Sequence, residues 1–229
     1  MFFLLQTVVP GATPTAGAVG GATTKTLWDV AVSGGWTMIP IAGLLVLAIF
    51  IFIERYLTIR QANANSEELM TQVRKHVIAG NIEAAKGLCE AQNNPFARMI
   101  LKGISRLGRA DLKDIEASIQ NVGQLELLRL ERRLGLLATT AGAAPMLGFF
   151  GTVTGLIAAF DTIVAMAGNA NAVDLAGGIS EAMVTTAAGL IVGIPAYFFY
   201  NILSAMINKV VLKMEITTTD FIDLLQEPV

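Results

Sequence analysis

The sequence predicts an all-α membrane protein. It should have three transmembrane helices, N-terminus outside and C-terminus inside, with long helices extending into a helical cytoplasmic domain. Three observations carry this. Of 229 residues, 54% are hydrophobic and 15% charged, against about 45–50% and about 25% in ordinary soluble domains. Three runs hold no charge: Trp36 to Ile53, Leu134 to Phe160 and Ala182 to Asn208. A helix needs about 20 residues to cross roughly 30 Å of hydrocarbon, so each run is a span. Finally, thirteen of the sixteen Lys and Arg lie between the first and second runs, and none between the second and third. Positive charge stays on the cytoplasmic side, which fixes the orientation.

The same arithmetic narrows the function. Disorder needs low hydrophobicity and high charge, the opposite of this chain. A net charge of −2 offers no basic field to nucleic acid. One histidine and one cysteine leave no internal disulfide and no usual zinc cluster. We find no nucleophile–base pair, P-loop or paired carboxylate at a workable spacing. The sequence therefore reads as no enzyme, with no catalytic residue, metal or cofactor assigned.

Residues 1–33 read as an outer-face N-terminal arm. MFFLLQTVV is apolar but too short to span, and a small-residue stretch follows it. Ala16-Gly17-Ala18 looks like a signal-peptidase site, yet no basic region precedes the apolar run. An interfacial helix is the preferred reading, with cleavage near residue 18 as the alternative. Residues 34–59 form the first transmembrane helix. Residues 60–133 form the cytoplasmic helical domain. There, Asn65-Ser66-Glu67-Glu68 starts a helix, Gly80-Asn81 breaks it, Ile82 to Ala91 restarts it, and Asn93-Asn94-Pro95 turns the chain. Phe96 to Leu107 is a further helix. Asp111 opens a long apolar pattern with no turn signal before Leu134, so one continuous helix should enter the second span. It would either carry a mechanical signal or serve as rigid scaffold. His76 reads as a surface residue and Cys89 as a small core hydrophobe.

The second transmembrane helix occupies 134–167, a short outer loop 168–180, the third transmembrane helix 181–208, and a cytoplasmic tail 209–229. The second span places Gly148, Thr152, Gly155 and Ala159 on one helical face, and the third does the same with Ala182, Thr186, Gly189 and Gly193. Small stripes let helices approach closely, which accounts for Gly151, Gly155, Gly189 and Gly193 as packing residues. Pro145 and Pro195 should kink their helices where neighbours satisfy the freed carbonyls.

The threonines ask for more. One threonine can satisfy itself on the carbonyl three or four residues back, but Thr152, Thr154, Thr185 and Thr186 come together with Glu181 and Asp161. In antiparallel neighbours, Thr152 lies about 12 Å in from Phe160, and Thr186 about 8 Å in from Glu181. A polar belt at one level suggests a lumen shared by several copies. Glu181 follows the Gly177-Gly178 break. It reads as an ion-pathway carboxylate, with an acid at the positive end of its own helix as the bland alternative. Asp161 reads as an interface residue.

These residues resemble the ExbB/TolQ/MotA family of proton-channel motor subunits, most of all its ExbB-like branch. Phe149–Phe160, FFGTVTGLIAAF, is similar to one of the family's membrane motifs, and Gly178–Asn201, GISEAMVTTAAGLIVGIPAYFFYN, to the other. Gly80–Gly103, GGWTMIPI (Gly34–Ile41) and ERYLTIR (Glu54–Arg60) extend the likeness over roughly 34–213. The resemblance implies a homopentamer in a bacterial inner membrane, its pore enclosing a dimer of an ExbD- or TolR-like single-span partner. It implies a TonB-like receiver, with Thr152, Thr186 and Glu181 lining the proton pathway. A TolQ-like role and a structural scaffold without proton flux are the alternatives.

Overall fold

A computed structural model of the chain describes residues 34–63, 66–92, 94–168 and 171–226, and the expected N-terminal arm lies outside them. All regular structure among these residues is helical. In chain order the helices are α1 (Met38–Ala62), α2 (Ser66–Ile78), α3 (Ile82–Ala91), α4 (Pro95–Ile104), α5 (Leu112–Glu131), α6 (Leu134–Ala165) and α7 (Ala172–Gln226). Three stretches are long and apolar enough to cross a membrane: α1, the stretch through α6, and α7.

α6 and α7 pack against each other along most of their apolar length, and α1 lies against both. Their outward faces carry Val46, Phe50, Phe149, Phe160, Ile191 and Phe198, all exposed. A surface so continuously apolar belongs in hydrocarbon rather than water. The remainder of α7 runs on beside α2, α4 and α5 and completes an extramembrane bundle. One core joins the two halves: Ala48, Ile51, Leu137 and Leu203 at the membrane end are continuous with Leu69, Phe96, Ile100 and Phe221 in the bundle.

The small helices start where the sequence expects, for visible reasons. The Asn81 side chain accepts from the Ala84 amide at 3.1 Å and so caps α3. Asn94 does the same for Ala97 at 2.7 Å, with Pro95 in the first turn of α4, where its missing N–H costs nothing. Gly80 ends α2 in the left-handed region at φ 70°. Gly103 brings α4 against α7, since a Cβ there would stand 2.6 Å from Phe221 Cε1.

Two expectations fail. The helix expected to run from Asp111 into the second span is broken at Arg132 and Arg133. Arg132 has φ −52° and ψ 131°, and Arg133 sits in the left-handed region at φ 70°. For a residue with a Cβ that conformation costs roughly 1–2 kcal/mol. Side chains of α1 offset it. Arg133 pairs with Glu54. Arg55, buried, donates from Nη1 to the Arg129 carbonyl at 3.2 Å, satisfying an acceptor that the end of α5 leaves open. Arg55 Nη2 also holds Glu54 Oε1 at 3.0 Å. The break is thus set by tertiary partners, which is why no local turn signal announces it.

The second failure is at the third span. Gly177-Gly178 does not interrupt the chain; α7 starts earlier, at Ala172, and continues through both glycines. Gly178 is there for contact, because a Cβ on it would lie 2.7 Å from the Gly155 carbonyl. Nor does the helix stop at Asn208. It reaches Gln226, held by buried Met214, Phe221 and Leu224.

Cys89 is buried in the bundle core, and burial, with Glu90 beside it, pushes its thiol up to about 11. Alkylation requires the thiolate. At pH 8 the native chain should react with iodoacetamide far more slowly than the chain in denaturant, and the native rate should climb only as pH approaches 11. Equal rates in both states, followed by mass spectrometry, would refute the burial.

Candidate functional site

Small residues bring α6 and α7 together backbone to backbone. A Cβ on Gly148 would stand 2.8 Å from the Thr185 carbonyl and 3.2 Å from Gly189 Cα. One on Gly155 would meet the Gly178 carbonyl at 2.8 Å, and one on Gly189 the Ala144 carbonyl at 2.6 Å. Numbers rise along α6 as they fall along α7, so the helices are antiparallel. Gly151 makes room for the fully buried Thr185 side chain. Gly193 seats the Pro145 ring, with a Cβ there 2.5 Å from Pro145 Cγ, and lies beside the Ala141 carbonyl that Pro145 leaves without its helical donor. Pro145 and Pro195 both lie inside their helices.

Within this contact the threonines divide into two kinds. Thr140 donates to Leu136 O at 2.9 Å, Thr154 to Gly151 O at 3.0 Å, Thr162 to Ala158 O at 2.9 Å and Thr185 to Ala182 O at 2.9 Å. Each is satisfied on its own helix. Thr152 and Thr186 instead reach across. Their hydroxyls are hydrogen-bonded to each other. Thr186 Oγ1 also lies 3.2 Å from Gly148 O on α6, and Thr152 Oγ1 3.4 Å from Ala182 O on α7, besides 3.3 Å from Gly148 O on its own helix.

A hydroxyl has one proton to donate and two lone pairs. The pair therefore has two protons for more acceptors than it can fill. If Thr186 donates to Gly148 and Thr152 to Thr186, Thr152 keeps both lone pairs open. If Thr152 donates to Ala182 and Thr186 to Thr152, an acceptor opens on Thr186. Rotating two hydroxyls exchanges these arrangements without moving the backbone. Both residues are only partly buried, so the pair lies at the edge of the helix contact.

Glu181 stands elsewhere than expected. It lies nine positions into α7, so it is not at the positive end of its own helix. Its carboxylate instead touches Gly35, in the turn leading into α1, where a Cβ would collide with Oε1. Gly35 has φ 63°, a conformation open to glycine. The helix N-terminus nearest the carboxylate is therefore that of α1. Glu181 and Thr186 lie on the same half of α7, about 8 Å apart along its axis. Asp161 is exposed.

Residues 91–216 match the MotA/TolQ/ExbB proton channel family. That is more than half of the chain, and it includes both threonines, Glu181 and every glycine of the contact.

The chain belongs to this family.

Like other members it is a multi-pass membrane protein. It is 30% identical over 175 residues to biopolymer transport protein ExbB-like 3 of Synechocystis sp., covering 76% of this chain and 83% of the relative. It is 34% identical over 109 residues to biopolymer transport protein ExbB of Xanthomonas campestris, covering 48% of this chain and 43% of that one. Over 87 residues it is 42% identical to the Tol-Pal system protein TolQ of Haemophilus influenzae, 37% of each chain.

Sequence reasoning missed one cluster. Glu126 on α5 is only 3% exposed and is held at 2.5 Å by both Arg98 and Arg129. With Arg55, Glu54 and Arg133 it makes a charged seam where the spans meet the bundle. Part of it is visible in the sequence, since ERYLTIR and LERRLGLL set Glu54, Arg55 and Arg133 directly against apolar runs, whereas Arg98 and Glu126 come together from separate helices.

The helix contact yields a paired test. Gly189→Ala must push backbone apart and should lower stability by about 1–3 kcal/mol. Gly142→Ala, with open space around it, should be neutral or up to about 1 kcal/mol stabilising. Thermal unfolding in one detergent compares them. Equal melting temperatures would show that the contact is not close.

Proposed function

We propose that this chain is an ExbB-like subunit of a motor driven by the proton-motive force in a bacterial inner membrane. With an ExbD-like partner it energises TonB-dependent transport across the outer membrane. The N-terminus faces the periplasm, and the bundle and the C-terminus face the cytoplasm, a reading that the Lys and Arg distribution supports. The assembly is a ring of copies, five by the family resemblance, enclosing a dimer of the partner's single span.

The observation that carries this is the Thr152–Thr186 pair. A membrane threonine meant only for packing satisfies itself on its own helix, as Thr140 and Thr162 do. Two hydroxyls that bridge helices and keep an acceptor spare are suited to relay a proton, taking one at a lone pair and releasing another. Neither needs to ionise. Glu181, half-buried at the other end of the same path, would take protons from the outside. Each charge crossing 100 mV supplies about 2.3 kcal/mol, and a titrating acid on the partner would turn it into movement between subunits. A TolQ-like role in envelope integrity and division is the second reading, supported by the 42% identity to TolQ over 87 residues. Disruption of the gene separates the two: loss of siderophore-type uptake supports the first, and filamentation with detergent sensitivity the second.

Thr152→Val and Thr186→Val should each leave assembly intact but slow proton flux. Losing one net hydrogen bond of about 1–1.5 kcal/mol corresponds to about a tenfold fall in rate, and Ser at either position should restore most of it. Flux is read with a pH-sensitive dye in proteoliposomes carrying the ExbD-like partner. Assembled Val variants conducting at the parental rate would sink the assignment.

Glu181→Gln should lower flux and flatten its dependence on external pH. An unchanged pH profile at full flux would leave Glu181 as a carboxylate bracing the start of α1.

A further inference from the structure

Two grooves flank α5, one on each side of its buried stripe of Ile115, Ile119 and Leu130. The first lies between α5 and α7 and has a volume of about 420 Å³. Its charged lining is wholly acidic, with Glu116, Glu215 and Asp223 around a floor of Met99, Met214 and Ile222. The second lies between α5 and the α3–α4 pair, about 490 Å³. Its lining is predominantly basic, with Lys86, Arg98, Lys102 and Arg129 against Glu90 and Glu126. Glu126 is already shared by Arg98 and Arg129, so Lys86 and Lys102 face only Glu90 and the groove keeps a net positive charge.

Three features connect the grooves. Their charges are opposite, on one chain. They lie at nearly the same height: on α5 one spans 116–127 and the other 122–129, centres about four residues or about 6 Å apart, within the reach of a lysine. On the outer side of α5, Leu125 at the lip of the basic groove and Leu128 between the two grooves are 58% and 66% exposed. This helix carries Lys113, Asp114, Glu116, Arg129 and Glu131 and is too polar for hydrocarbon, so two bare leucines there call for a protein cover.

The geometry points to a head-to-tail contact between copies of this chain, in which the acidic groove of one copy receives the basic groove of the next. Leu125 and Leu128 are covered at the seam. Two different surfaces meeting head to tail generate either a closed ring or an open filament. Grooves at one height favour closure, because each step adds rotation and little rise. The inference rests on the ring proposed above and assigns its extramembrane interface. It is independent of the threonine pair.

The test uses the full chain in mild detergent, with oligomer size read by native mass spectrometry at graded protein concentration. Glu215→Lys with Asp223→Lys, and separately Lys86→Glu with Lys102→Glu, should each weaken association about tenfold or more. The chain carrying all four changes restores opposite charge and should recover most of the loss. Slow alkylation of Cys89 checks that each variant is folded. Parental association in folded single-groove variants overturns this interface while the motor reading stands, as does a four-change chain no better than the pairs. If Lys86→Glu with Lys102→Glu instead loses binding to vesicles rich in phosphatidylglycerol while the ring persists, the basic groove takes lipid headgroups and the proposal falls. A parental chain that is monomeric at every concentration overturns both readings.

Discussion

The approach of α6 to α7 without intervening side chains is the constraint on which the site depends. A hydroxyl on threonine reaches barely beyond its own Cβ. Thr152 and Thr186 meet because Gly148, Gly155 and Gly189 let the two backbones come within about a Cβ of contact. Leucines at those positions would hold the axes at the ordinary helix separation of 8–10 Å, and each threonine would turn back to its own carbonyls. The small residues and the polar pair are therefore one device. The glycines set the distance, and the distance lets two hydroxyls share acceptors across the seam. Hydrocarbon offers no hydrophobic drive between helices, so close van der Waals packing and such cross-helix hydrogen bonds hold the pair together.

The other end of the spans is organised by charge. Where α5 gives way to α6, Arg55 fills an open carbonyl of α5 and Glu54 gathers Arg55 and Arg133. These groups stand at the end of the apolar part of α1, where the buried Arg55 guanidinium is satisfied by protein acceptors and Arg133 is partly exposed. A few residues further into the bundle, Glu126 is buried under two guanidinium groups. Such an arrangement adds little net stability, because desolvation consumes most of the attraction. It does fix which residue faces which, and so the direction in which the chain re-enters the membrane.

Much of this was legible in the residues. Span number followed from apolar length, because a bilayer sets a threshold that few soluble helices cross. The caps at Asn81 and Asn94 were legible because capping is local. Small-residue periodicity located the α6–α7 contact, and depth counting put Thr152 level with Thr186. What failed was non-local. Gly177-Gly178 resembles a helix stop, but Gly178 is there to meet Gly155, a residue distant in sequence. The break at Arg132–Arg133 has no turn residue, since its conformation is held by Glu54 and Arg55 on another helix. The same glycine pair makes Glu181 look like a residue at its own helix end, whereas the helix begins at Ala172 and the carboxylate meets Gly35, a contact neither segment carries alone.

The two long paths through the membrane differ mechanically. α7 runs 55 residues from Ala172 to Gln226, about 80 Å, interrupted only by the single hydrogen bond that Pro195 removes. The path through α6 and α5 is jointed at Arg132 and Arg133. From Thr186 to Phe221 is 35 residues, about 50 Å, and Phe221 is locked in the bundle core. A rod anchored that far away acts as a strut: it resists bending at the hydroxyl pair and ties the position of the pair to the bundle core. The jointed neighbour changes direction at the height of the arginine seam, where Glu54 and Arg55 clamp it. The chain thus pairs one unbroken rod with one angled path whose corner is clamped to α1.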